Sequence, residues 1–157
     1  MKTAKPLAAL AVAFSLALGV PAIAAAETAT HEGHDPAALE IVLNNGAKWQ
    51  GDQNMYTGMT AIRGAIAAQL AAIHGGTLAA DVARQMAGEI QAHLDFMLGN
   101  CVLEPEVDEQ FHVVLAQVTE GVSDLEAGNA REGAEKIVEA LNAYGEHFEH
   151  PGWQALH

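Results

Sequence analysis

The stretch from His93 to His112, HLDFMLGNCVLEPEVDEQFH, decides the fold of this chain. Gly99-Asn100 is typical of a helix end, and Glu104-Pro105 of a helix start, because proline is favoured at the first helical position. The stretch therefore predicts one helix, a tight corner that contains Cys101, the single cysteine, and then a second helix. If the two helices fold back on each other, His93 and His112 lie with the thiol at one end of the molecule.

Apolar residues recur at three- and four-residue spacing in four segments, at about 52–73, 78–99, 105–127 and 130–149. Glycine, asparagine or proline marks each junction between them. Amphipathic helices joined by short turns predict an all-α fold, an up-down-up-down antiparallel four-helix bundle. We also expect a short N-terminal helix at about 36–45, since Asp35-Pro36 is typical of a helix start and Asn44-Asn45-Gly46 of a helix end.

The N-terminal residues 1–26 have the three-part pattern of a cleaved secretory signal peptide. Lys2 and Lys5 precede an uncharged apolar run, and small residues follow that run as far as Glu27. The pattern predicts export to the periplasm, with no membrane contact after cleavage. Residues 27–35, which contain two histidines, are predicted to be a flexible polar tail, and residues 36–157 to be the bundle domain.

The charge of the chain limits its partners. Residues 1–26 hold two of the seven basic residues and none of the 20 acidic ones, so cleavage leaves a formal charge of −15. Such a charge disfavours nucleic acids and anionic membranes, and it favours a metal ion or a metal-delivery partner. With one cysteine, the exported chain has no internal disulfide, so Cys101 is a free thiol, a metal ligand or half of an intermolecular bridge.

Residues of different helices share a level near Cys101, because successive helices run in opposite directions and each residue rises about 1.5 Å. Met55 and Met59 of the first helix and His147 of the last lie at the same end as the corner. Imidazole, thiolate and thioether groups are ligands that copper and zinc accept. The sequence therefore predicts a copper or zinc site whose candidate ligands are His93, Cys101, His112, His147 and Met59, with Met55 as a further soft ligand.

Two short segments carry a resemblance to a known family: Asp52-Gln53-Asn54-Met55 and Asn142-Ala143-Tyr144. Both are similar to segments of cytochrome b562, a periplasmic four-helix haem protein. The resemblance implies the same bundle fold and Met55 as one axial ligand of haem b. The position of the second ligand is Gly145 here, which leaves His147 as the nearest substitute. A b-type haem electron carrier is therefore the first alternative function.

A second alternative is a non-catalytic interaction or sensor module, which forms a homodimer through a disulfide at Cys101. Catalysis is not expected, because the chain offers no Ser-His-Asp grouping, no glycine-rich phosphate loop and no paired Glu-x-x-His motifs. The three hypotheses therefore describe a protein that binds a metal ion, carries haem or associates with another protein.

Overall fold

The computed structural model describes residues 39–157. Its helices are α1 (Gln53–His74), α2 (Ala80–Asn100), α3 (Pro105–Ala127) and α4 (Ala130–His147), and its short strands are β1 (Trp49–Gln50) and β2 (Phe148–Glu149). The predicted all-α four-helix bundle is confirmed. None of the helices within 39–157 is long and apolar enough to cross a membrane. The predicted signal peptide and polar tail lie outside the described residues.

The four helices pack in a ring, in which α1 contacts α2 and α4, and α3 contacts the same two helices. The most extensive contact joins α3 to α4. A Cβ atom on Gly133 would lie 2.5 Å from the carbonyl oxygen of Gly121, so the two backbones approach closely because both residues are glycine. The apolar stripes of all four helices form one core, in which Met55, Ile62, Ile90, Val118 and Leu141 are fully buried.

The corner between α2 and α3 is as tight as its sequence predicts. The α2 helix ends at Asn100, four residues form the turn, and Pro105 begins α3. At the other end of the bundle, Gly128 terminates α3 in the left-handed conformation at φ 93°. The α2 helix begins at Ala80, two residues later than predicted, and no side chain caps its first turn.

The predicted helix at 36–45 is wrong for residues 39–45, which the structure describes and which are not helical. Asn45 and Gly46 have φ values of 51° and 88°, and Asn44 and Ala47 exchange backbone hydrogen bonds of 2.8 and 2.9 Å across them. Positive φ at both central residues is the geometry of a two-residue hairpin turn. Asn-Gly therefore acts here as the centre of a turn and not as a helix end.

The last helix also ends earlier than predicted, at His147 and not at 149. Phe148 and Glu149 leave the helix to pair in parallel with Trp49 and Gln50, the residues of β1. The pairing joins the segment before α1 to the segment after α4. The two chain segments that flank the bundle are thereby held together at one end of it.

Replacing Gly133 with alanine should lower the free energy of unfolding by about 1 to 3 kcal/mol, because the new methyl group meets backbone atoms that have little room to move. Gly88, which is exposed in α2, is the matched control, since a Cβ atom there would have no neighbour within 4 Å. G88A should stabilise the protein by about 0.5 to 1 kcal/mol, since alanine is the better helix former. Urea unfolding measures both; equal effects would contradict the close α3–α4 contact.

Candidate functional site

The carboxylate of Asp52 links the first turn of α1 to the corner between α2 and α3. One of its oxygens accepts a hydrogen bond of 2.7 Å from the Met55 N–H, and the other accepts one of 2.7 Å from the Val102 N–H. The Asn54 side chain adds a second tie, since its Nδ2 donates to the carbonyl oxygen of Asn100 at 2.7 Å. Burial opposes ionisation of Asp52, but the hydrogen bonds from Met55 and Val102 outweigh it and lower the pKa of that carboxyl.

The thiol of Cys101 lies against this carboxylate. Cys101 is half-buried, and its burial, followed by the charge of Asp52, raises the pKa of the thiol to about 12. A protonated thiol therefore donates a hydrogen bond to Asp52 at neutral pH. The charge of Asp108, in the first turn of α3, also acts on the thiol. Cys101 is thus under the influence of two negative charges, of which that of Asp52 is the stronger.

The other predicted ligands differ in their exposure. Met55 and Met59 are fully buried, His93 and His147 are half-buried, and the His112 side chain is 56% exposed. Within residues 39–157, no three histidine, cysteine, aspartate or glutamate side chains form a group that could hold a metal ion as they stand. The four predicted ligands of these types, His93, Cys101, His112 and His147, are therefore not gathered into one ready-made group.

Two of the predicted histidines are oriented by their own helices. The Nδ1 of His112 donates to the carbonyl oxygen of Asp108 at 2.9 Å, and that of His147 donates to the carbonyl oxygen of Ala143 at 2.8 Å. A carbonyl oxygen only accepts, so Nδ1 carries the hydrogen and Nε2 of the neutral ring keeps its lone pair. Histidines that bind metals usually have this arrangement, in which one nitrogen is fixed and the other is free.

His150 is the functional candidate that sequence reasoning missed. Its Nδ1 lies 2.8 Å from the Tyr144 hydroxyl, and its Nε2 lies 3.2 Å from Thr60 Oγ1. The ring is held between Tyr56 and Trp153, at centroid distances of 4.8 and 4.9 Å. A helix that continued to residue 149, as the sequence predicts, would place His150 on the outside of the bundle. The helix instead ends at His147, and the chain then turns inward. The following Pro151-Gly152, a turn signal, was the feature that indicated this change of direction.

The residues after β2 form what we call the C-terminal strap, residues 150–156, which lies across α4 and α1. Gly152 has φ 79°, and the Trp153 N–H closes the turn by donating to the His150 carbonyl oxygen at 3.1 Å. The side chain of Asn142 makes two hydrogen bonds to the backbone of Leu156, at 2.9 and 3.0 Å. Arg63 of α1 donates to the strap at 2.6 Å, through the Gln154 carbonyl oxygen. The strap therefore joins the first helix to the last.

Trp153 occupies the space beside the residue that replaces the haem-ligating histidine of the cytochrome b562 resemblance. A Cβ atom on Gly145 would lie 2.3 Å from Trp153 Nε1, so the indole packs directly on the glycine. Gly145 has no side chain to offer, and Met55 is fully buried in the core. These two positions do not fit an axial ligand pair for haem.

No known family model, no curated protein and no solved structure matches this chain. The resemblance to cytochrome b562 is therefore confirmed only as a shared class of fold, the all-α four-helix bundle.

The burial of His150 lowers the pKa of its imidazole. As the pH falls, the imidazole of His150 is therefore protonated in the unfolded chain before it is protonated in the folded protein. The contribution of neutral His150 to stability is thus complete above about pH 6.5 and is lost below it. The free energy of unfolding, measured with urea, should therefore fall between pH 7.5 and pH 5.5 by less in H150Q than in wild type. H74Q, at the exposed far end of α1, should keep the wild-type fall. An H150Q protein with the full wild-type fall would contradict the role of His150.

At pH 7.5 the thiol of Cys101 should react with a chromogenic disulfide reagent more than about tenfold more slowly in the folded protein than in the urea-unfolded protein. The reason is that little thiolate is present in the folded protein. Asp52→Asn removes one of the charges that raise the thiol pKa, and it should speed the reaction. Asp124→Asn, at the opposite end of α3, is the control and should leave the rate unchanged. A wild-type rate in D52N would show that burial alone controls the thiol.

Proposed function

We propose that this protein is an exported, non-catalytic metal-binding protein that takes up a copper or zinc ion at the end of the bundle that holds Cys101. The observation that carries the proposal is the thiol of Cys101 beside the carboxylate of Asp52, with the charge of Asp108 also acting on the thiol. A thiol and a neighbouring carboxylate are two potential metal ligands at one place. A metal ion that replaces the thiol proton gains both of them.

His112 is the imidazole that we propose completes this group. Its Nδ1 lies 3.5 Å from a carboxylate oxygen of Asp108, and its side chain is 56% exposed. We propose that the exposed ring gives up its hydrogen bond to the Asp108 carbonyl oxygen and turns towards the thiol when a cation neutralises the carboxylates. We propose Cys101 and His112 as ligands, with Asp52 or Asp108 as the third. His93, His147, Met55 and Met59 remain predicted ligands that this smaller group does not require.

The thiolate favours a soft or borderline metal ion, and this preference agrees with copper or zinc better than with calcium or magnesium, which take oxygen ligands. The formal charge of −15 on the exported chain raises the local concentration of cations around it. Because the pKa of the Cys101 thiol is about 12, each bound ion has to displace a proton throughout the physiological range. Affinity should therefore increase with pH.

The two alternatives have less support. A b-type haem carrier would need an axial ligand other than residue 145, and His147, the substitute that the sequence offers, lies two residues further along the chain, where it hydrogen-bonds to Ala143. A disulfide-linked dimer would need the Cys101 thiolate, which the raised pKa of the thiol makes scarce. The metal-binding proposal uses the same thiol without an oxidation step.

Metal titration of the protein with His31 and His34 changed to alanine, which removes the tail histidines as competitors, tests the proposal. We expect one equivalent of copper(I) or zinc to bind, with affinity that rises about tenfold per pH unit between pH 6 and pH 8, because one thiol proton is displaced. C101S and H112A should each lose more than tenfold in affinity, since each removes a ligand. Calorimetry and elemental analysis provide the measurements.

His74 lies exposed in the last turn of α1, at the opposite end of the bundle, and H74A is the matched control. It should bind metal as the parent protein does. Circular dichroism confirms that each variant folds before its affinity is compared. Unchanged binding in C101S would remove the proposal, and equal losses in H74A and H112A would show that the histidines bind metal without forming this site.

A further inference from the structure

We propose that the corner between α2 and α3 is a docking surface for a basic partner protein. Leu98 and Val102 are 63% and 85% exposed, and they flank Cys101 in the chain. Residues 39–157 contain five large hydrophobic side chains that are exposed in this way, and three of them fall within residues 96–102. Exposed apolar side chains are therefore concentrated at the corner. Such a concentration is typical of a site that contacts a partner.

The exposed side chains are held by a fixed backbone. The Val102 N–H is bound to Asp52, the Cys101 N–H donates to the Met97 carbonyl oxygen at 2.9 Å, and Asn54 holds the Asn100 carbonyl oxygen. Val102 is therefore exposed on a turn whose backbone is held by hydrogen bonds. A surface that is already ordered loses less conformational entropy when a partner binds.

Acidic residues flank the two apolar ones in the chain. Asp95, Glu104 and Glu106 are exposed on either side of Leu98 and Val102. From Gln85 to Ala130 the chain has nine acidic residues and no lysine or arginine. An apolar centre with an acidic rim fits a partner that presents an apolar side chain surrounded by lysine or arginine.

The same charge disfavours two other occupants. A second copy of the chain would bring one acidic rim against another, which costs free energy without cations between them. Residues 27–35 of the chain itself contain Glu27, Glu32 and Asp35 and no lysine or arginine. A basic protein that inserts an apolar side chain between Leu98 and Val102 is the occupant that the charges favour. This inference goes beyond the proposed metal site, and its test changes none of the proposed ligands.

The test is a nuclear magnetic resonance titration of the 15N-labelled protein in the presence of a chelator, with a synthetic amphipathic helical peptide of leucine and lysine as the probe. We expect the chemical-shift changes to be concentrated between residues 95 and 106. L98S/V102S should weaken the peptide at least tenfold, and E104Q/E106Q should weaken it at low salt. The control variants V42S/L43S and E120Q/E126Q, which change exposed side chains of the same kinds elsewhere, should bind as wild type does.

Three results would overturn the proposal. The first is a wild-type affinity of L98S/V102S for the peptide, or shift changes centred outside the corner. The second is a dimer of the isolated protein in sedimentation that L98S/V102S dissociates, since the occupant would then be a second copy. The third is a gain of more than tenfold in peptide affinity when residues 27–35 are deleted, which would identify that segment as the occupant.

Discussion

The carboxylate of Asp52 is the constraint on which the rest of the corner depends. It replaces the missing backbone partner of Met55 at the start of α1, and with its other oxygen it fixes Val102 across the bundle. Burial, and after it the same charge, raises the pKa of the Cys101 thiol. One side chain therefore caps α1, fixes the backbone of Val102 and contributes to the protonation of the thiol. The cap of α1, the environment of the Cys101 thiol and the position of Val102 all depend on the contacts of Asp52.

The helices could be predicted because their signals are local. Apolar residues at helical spacing, Pro105 at the start of α3 and Gly128 at its end act within a few residues of themselves. The errors occur where a distant segment competes. Phe148 has the spacing of a helical core residue, yet it leaves α4 to pair with Trp49, about 100 residues earlier. Asn45-Gly46 is compatible with both a helix end and a hairpin turn, and neighbouring residues do not decide between them.

Helix rise gives the level of a side chain reliably and its direction less so. The level placed the start of α1 and the corner at one end of the bundle, which agrees with the hydrogen bonds from Met55 and Val102 to Asp52. The direction of the His150 side chain could not be predicted in this way. A rotation of 100° per residue applies only within a helix, and α4 ends at His147. The inward turn of His150 depends on contacts with Thr60 and Tyr144 that come from two other parts of the chain.

The strap and the β1–β2 pair together determine when the bundle can be completed. The α3–α4 contact joins neighbours in the chain, whereas the contact of α1 with α4 is supported by Phe148, which pairs with Trp49, and by His150, which contacts Thr60. The three hairpins of successive helices join elements that are adjacent in sequence, so they can form before these contacts, which join residues about 90 to 100 positions apart. The seam between the first and last helices closes only afterwards, and closure across such a separation is slow compared with hairpin formation. Residues 148–154 thus supply the contacts that convert an open row of helices into a ring.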